Sequence, residues 1–158
     1  MNYFLLNLFL AFSWMLVNDS YGSVEFIIGY IIGFLVLRIS LPFGVAPSYF
    51  KRFKAISNLL FFFIYELIVS VFRVAWDVIT PTHLSEPDII YLPLSAKSDL
   101  EIAILANMVS LTPGSLSLDV TEDRQFLVIH VMFAPDHAVV IDGIKSGLER
   151  RLLEITRG

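Results

Sequence analysis

The feature that most constrains this chain is an abrupt change of solvent preference near residue 85. Ahead of it lie three long apolar segments carrying only four acids (Asp19, Glu25, Glu66, Asp77) and five bases (Arg38, Lys51, Arg52, Lys54, Arg73). From Ser85 onward there are eleven acids and six bases. Only 16% of the 158 residues are charged, against about 25% in an average soluble domain. The chain therefore reads as a membrane α-helical region of three hydrophobic helices, residues 1–84, followed by a small soluble α/β domain, residues 85–158. The acidic second half excludes nucleic acid as a partner, because phosphate binding needs Lys and Arg gathered on one face. The sequence has no cysteine, which removes disulfides, thiolate metal sites and cysteine nucleophiles together.

The first apolar segment, Met1 to Val17, is uncharged and sits at the short end of the roughly 17 to 25 residues that span a bilayer core. It has neither the basic start nor the small-residue cleavage site of a signal peptide, so it reads as a retained helix. The second, Val24 to Leu41, holds Glu25 and Arg38 near its ends, where long side chains reach headgroups. Gly29 and Gly33 within it are four residues apart, a spacing that lets a second helix pack closely, although glycine is also simply common in membrane helices. Pro42, Gly44 and Pro47 are expected to end this helix and to leave Lys51, Arg52 and Lys54 in a connecting loop. The third segment, Ser57 to about Ile79, is expected to cross again. Trp76 suits the interface, and Arg73 and Asp77 share a helical face on which they could pair.

In the second half, Asp88 to Leu94 reads as a strand with Pro93 marking an edge or an end. Ser98 with Glu101 is a capping-box pattern that opens a helix bearing Leu100, Ile104, Met108 and Leu111 at helical spacing. Thr112, Pro113 and Gly114 fit a type II turn. Ser115 to Val120 alternates as a strand, Thr121 to Arg124 reads as a hairpin, and Gln125 to Phe133 is a further strand. Pro135 and Asp136 open a last helix with Val140, Ile144, Leu148, Leu152 and Ile155 on one face. The order is β-α-β-β-α, a split βαβ pattern without its closing strand. Such a sheet keeps an open edge that another subunit or a lipid-facing element would cover.

Chemistry is sparse. His83, His130 and His137 have no carboxylate or second histidine at a ligand spacing, so no catalytic residue, cofactor site or metal site is assigned. Gly143 and Gly147 fall inside a helix, where they suit close packing better than phosphate binding. The hydroxyls around Thr112 could cradle an anion, yet a turn accounts for them. Glu66 is the one ionisable group deep in a hydrophobic segment, and two readings stand: part of an ion pathway, or a contact to a neighbouring helix of another subunit. One carboxylate alone does not build a path across about 30 Å of hydrocarbon.

The run Ala106 to Val120 (ANMVSLTPGSLSLDV), the segment Asn7 to Met15 and the exit Trp76-Asp77-Val78-Ile79-Thr80-Pro81 together resemble the E subunit of the bacterial Mrp-type (multiple resistance and pH) Na+/H+ antiporter complexes. The resemblance covers essentially the whole chain, and the TPG turn is its most specific part. It implies an accessory or assembly subunit of a multisubunit cation/proton antiporter in the bacterial cell membrane, supporting sodium extrusion and pH homeostasis. The implied partners are the other antiporter subunits and the lipid bilayer; no enzyme activity and no catalytic residue are implied. A membrane-anchored sensor or ligand-binding module is the alternative, and a membrane enzyme the weaker third.

Orientation is contested. Lys51, Arg52 and Lys54, with Arg38 nearby, place the second connection in the cytoplasm by the positive-inside rule. A third crossing would then put the soluble domain outside, whereas the family resemblance implies a cytoplasmic C-terminal domain and Lys51 reachable from outside.

Overall fold

The computed structural model describes residues 2–40, 47–81 and 84–157 and resolves the chain into two compact units, 1–53 and 54–158. In the first unit, α1 (Tyr3–Val17) and α2 (Ser23–Ser40) pack antiparallel, joined by a short turn in which Asp19 takes a positive φ of 48°. Helix α2 is long and apolar enough to cross a membrane; α1 is apolar but shorter. At 1.5 Å per residue α1 extends only about 22 Å.

Helix α3 (Pro47–Ile79) runs for 33 residues and is also apolar and long enough to cross. It begins ten residues earlier than the sequence reading placed it. Proline is at home in the first helical turn, where its missing N–H has no partner to lose, and no breaker follows until Pro81. Lys51, Arg52 and Lys54 consequently lie on the first turns of α3, not in a loop. Pro42 and Gly44 lie outside the described residues.

In the second unit, β1 (Asp88–Pro93), α4 (Asp99–Leu111), β2 (Ser115–Val120) and β3 (Phe126–Val131) are followed by α5 (His137–Ile144), a π-helical turn (Lys145–Glu149) and α6 (Arg150–Arg157). The sheet is antiparallel throughout in the order β1-β3-β2. The alternation through β2 is broken by a register shift between Ser117 and Asp119. The last helix is likewise not continuous, because its 145–149 turn is π-helical.

Ile90, Leu92, Leu105, Val109, Leu127, Ile129, Leu148 and Leu152 form the core on one face of the sheet. In α4 the buried apolar set is Ile102, Leu105 and Val109, while Leu100 and Leu111 are exposed. Nine of the 13 positions of that helix are apolar, so they fill more than one stripe and spacing alone could not select the inward face. Leu59, Phe62 and Phe63 of α3 pack against the same cluster. Packing therefore divides the chain near residue 53, although its composition changes near residue 85.

Two buried carboxylates fix the chain between β1 and α4. Glu149 accepts hydrogen bonds from the N–H groups of Ser95 (2.6 Å) and Ala96 (3.0 Å). Glu101 accepts those of Lys97 (2.9 Å) and Ser98 (3.2 Å), and the Ser98 hydroxyl accepts from Glu101 N–H to complete the capping box. Four consecutive backbone donors are satisfied in this way. Lys145 Nζ lies 2.9 Å from Glu149 Oε2 and donates to the Pro93 carbonyl at 2.7 Å. Arg157 Nη2 lies 2.8 Å from Glu101 Oε2, and the Thr156 hydroxyl donates to Oε1 at 2.6 Å. Arg157 first, then Thr156 and the Lys97 N–H, hold the Glu101 carboxyl well below the usual carboxylate range.

A depressed folded-state pKa contributes stability that is full above the unfolded value and is lost as pH falls through the folded value. Glu101→Gln is accordingly expected to lower the melting temperature of the purified chain at neutral pH. The gap between variant and wild type should narrow once the pH drops below about 4.3, the ordinary glutamate value. A gap independent of pH in a melting series would show that the charge of Glu101 is not what matters.

Candidate functional site

Helix α3 has two different long faces. Glu66, Ser70, Arg73 and Asp77 recur at spacings of three and four residues, the spacing that aligns side chains along one stripe. This stripe is turned toward the α/β domain. Between them lies a cleft of about 580 Å³, lined by Glu66, Ser70 and Arg73 from α3, by Thr112, Pro113 and Gly114, and by Phe133, Asp136, Val140 and Gly143. Glu66 is half-buried there. The Arg73 guanidinium stands 5.9 Å from the centroid of the Phe133 ring.

Asp77 is buried, and its Oδ1 accepts the N–H groups of Leu84 and, at 3.1 Å, Ser85. It secures the chain as it leaves α3, while the Arg73 guanidinium lies near the Phe133 ring. Residues 112–115 close as a turn, with Ser115 N–H donating to the Thr112 carbonyl at 3.2 Å. Gly114 takes a φ of +87°, as the third position of a type II turn requires. A Cβ there would lie 3.4 Å from Val74 Cγ2. The neighbouring hydroxyls are already engaged: Thr112 Oγ1 donates to the Met108 carbonyl (2.9 Å), and Ser115 Oγ to those of Val109 (2.7 Å) and Thr112 (3.0 Å). They cap the end of α4, which favours the turn over the anion cradle.

The two described histidines, His130 and His137, do not converge. His130 is a half-buried member of β3 opposite Ile89 and Leu116. His137 Nε2 lies 2.9 Å from Asp88 Oδ2 on the surface, where the Ile89 N–H and then His137 hold the Asp88 carboxyl below its ordinary value. His83 lies outside the described residues. The cleft presents two carboxylates, Glu66 and Asp136, and one guanidinium, Arg73, an arrangement suited to ion pairing and recognition.

In the first unit, Gly29 and Gly33 face α1. A Cβ on Gly29 would come within 2.8 Å of Trp14 Cβ and 2.9 Å of the Ala11 carbonyl oxygen; one on Gly33 would collide with Asn7 Oδ1. The space at Gly33 is taken by a fully buried amide. Asn7 Nδ2 donates to the Tyr49 hydroxyl at 2.9 Å, and the Tyr49 and Tyr30 hydroxyls are 3.2 Å apart.

The family described as Na+/H+ ion antiporter subunit matches residues 7–155. The chain is 36% identical to the Na+/H+ antiporter E subunit of Alkalihalophilus pseudofirmus, with 97% of both chains covered. It is 35% identical to that of Bacillus subtilis over the same shares. This chain belongs to the E-subunit family of Na+/H+ antiporters. Among solved structures it is similar to a chain of the Mrp complex from Dietzia sp. DQ12-45-1b, with a TM-score of 0.51 and 25% identity, covering 65% of this chain and 96% of that one. A chain of the membrane-bound sulfane sulfur reductase, an archaeal respiratory membrane complex, shares the fold with a TM-score of 0.58 over 95% of this chain.

Within this antiporter component, sequence reasoning singled out Glu66, Arg73, Thr112, Pro113 and Gly114 separately, and the fold brings all five to one cleft. It missed Glu149, whose backbone partners Ser95 and Ala96 are more than fifty residues away, and the amide of Asn7, whose partner Tyr49 lies on another helix. Only the placement of an amide in an apolar run hinted at the second.

Gly114→Ala is expected to destabilise the second unit by roughly 1–2 kcal/mol, the cost of a positive φ for a residue with a Cβ, as read by denaturant unfolding of the purified chain. Asn at this position, which tolerates that conformation better, should recover part of the loss. Equal stability of wild type and both variants would mean that the turn relaxes to a negative φ.

Proposed function

We propose that this chain is an accessory subunit that helps assemble and hold a multisubunit Na+/H+ antiporter in the bacterial cell membrane. The observation that carries the reading is its likeness to the E subunits of the two bacilli over 97% of both chains. The surface supports it: Ile89, Tyr91, Leu116 and Leu118 stand about half exposed on the sheet face away from the core, and α1 and α2 expose Phe9, Phe12, Ile31 and Leu35. Both sets offer apolar area for other subunits and for lipid. The three hydrophobic helices all belong to the bilayer, the protein is multi-pass, and the C-terminal domain is cytoplasmic. Glu66, Arg73 and Asp77 serve structure in this reading, and Gly29 with Gly33 serves the α1–α2 contact.

A second reading, a ligand-binding module, draws on the cleft at Glu66 and Arg73. The two separate by what survives deletion. Without this chain, antiport in membrane vesicles is expected to fall in proportion to the amount of assembled complex. Normal complex abundance with transport abolished would defeat the assembly reading and point to chemistry or sensing in this subunit.

Glu66 gives the sharper test. Glu66→Gln keeps hydrogen-bonding capacity and is expected to retain most transport. Glu66→Leu removes it at similar volume and should weaken retention of the subunit during detergent purification, with activity reduced to match. A complex that stays intact in Glu66→Gln while the sodium or pH dependence of antiport shifts strongly would instead place this carboxylate in translocation.

A further inference from the structure

Helix α3 would extend about 50 Å at 1.5 Å per residue, well beyond the roughly 30 Å of a hydrocarbon core. More decisive is what lies against it. A crossing would put the middle of α3, around Phe62 and Glu66, at the bilayer centre. The Arg151 guanidinium of α6 lies 3.8 Å from the Phe62 ring centroid, and Phe62 also sits where a Cβ on Gly147 would lie. The Thr112–Ser115 turn and the polar groups of the α/β domain line the same side. Crossing would carry a guanidinium and an irregular loop into hydrocarbon, where charge and open backbone are both costly. The opposite face carries no such groups: Phe53, Phe61, Ile64, Ile68 and Phe72 form an apolar stripe, and Phe61 and Phe72 are 73% and 70% exposed. Basic residues occupy the first turns, and Trp76, an interfacial residue by chemistry, is exposed near the end.

We propose that α3 lies along the membrane surface as an amphipathic helix, its Phe53–Phe72 stripe in the acyl boundary of the lipid and its polar stripe against the α/β domain. Lys51, Arg52 and Lys54 then meet anionic headgroups at the same interface. A helix that does not cross keeps both its ends on one side of the bilayer. The basic cluster and the α/β domain are therefore both cytoplasmic, and the conflict between the positive-inside rule and the family orientation disappears; the expectation that Lys51 faces outward is withdrawn. This inference rests on the reading of the chain as a membrane subunit.

The cysteine-free sequence allows the test in the full chain within its complex. Lys54→Cys and Glu122→Cys are treated with an impermeant maleimide in right-side-out and inverted vesicles. Both are expected to react at least tenfold faster in inverted vesicles; reaction of the two from opposite sides would overturn the proposal. Nitroxides at Phe61→Cys, Ile68→Cys and Phe72→Cys should all report one shallow depth, about 5–10 Å into the headgroup and acyl boundary. A depth profile with Ile68 at the bilayer centre would overturn it, as would nitroxides shielded from both lipid and water, which would mean that a neighbouring subunit covers the stripe. If both cysteines react equally in either vesicle type and the nitroxides see only water, the membrane reading itself fails, an outcome distinct from a crossing.

Discussion

Contact between one stripe of α3 and the α/β domain organises the second unit. The domain's own helices and sheet leave a groove that Leu59, Phe62 and Phe63 occupy, and each such side chain withdrawn from water is worth on the order of 1.5–3 kcal/mol. A domain of this size has a marginal core, so three large side chains from outside its 74-odd residues weigh heavily in the balance. Because the contact depends on which way α3 is rotated, the polar residues Glu66, Ser70 and Arg73 must follow the phenylalanines onto the same face. The cleft is a consequence of that rotation.

The buried carboxylates answer a different constraint. The chain passes from β1 to α4 without regular structure, and its N–H groups, that of Ala96 buried, need acceptors. Glu149 and Glu101 each supply an oxygen to two of them, and Lys145 and Arg157 offset the charge thus buried. Ion pairs of this sort are weak evidence for stability in themselves, since desolvation opposes the attraction. Their effect here is to fix the ends of three elements relative to one another.

Local chemistry was legible and long-range partnership was not. The capping box at Ser98 and Glu101 and the type II turn at Gly114 were readable because their determinants lie within four residues. The start of α3 was misplaced because Pro47 reads as a breaker after α2 while also being a favourable first helical residue. The inward face of α4 was misjudged because nine apolar residues in 13 offer more than one apolar stripe to choose from. Glu66 stood out as a lone carboxylate in a hydrophobic run. Its alignment with Ser70 and Arg73 only acquires meaning once a polar domain is seen on that side, and Asp88 with His137 could not be paired from positions 49 residues apart.

The first unit obeys other rules. Helices in lipid gain nothing from leaving it for one another, so their association depends on close approach and on polar contacts. Gly29 and Gly33 supply the approach. Asn7 supplies the polar contact: an amide buried in apolar surroundings is costly without a partner, and its bond to the Tyr49 hydroxyl joins α1 to residues 47–53 within the first unit. Gly33 is needed for the same arrangement, because any side chain there would meet Asn7 Oδ1. Specificity is thus concentrated in a few small and polar residues, while the outward apolar faces of α1 and α2 remain unspecialised. Those faces can accept lipid or a neighbouring subunit without any change inside the pair, which is what a component added to a larger membrane assembly requires.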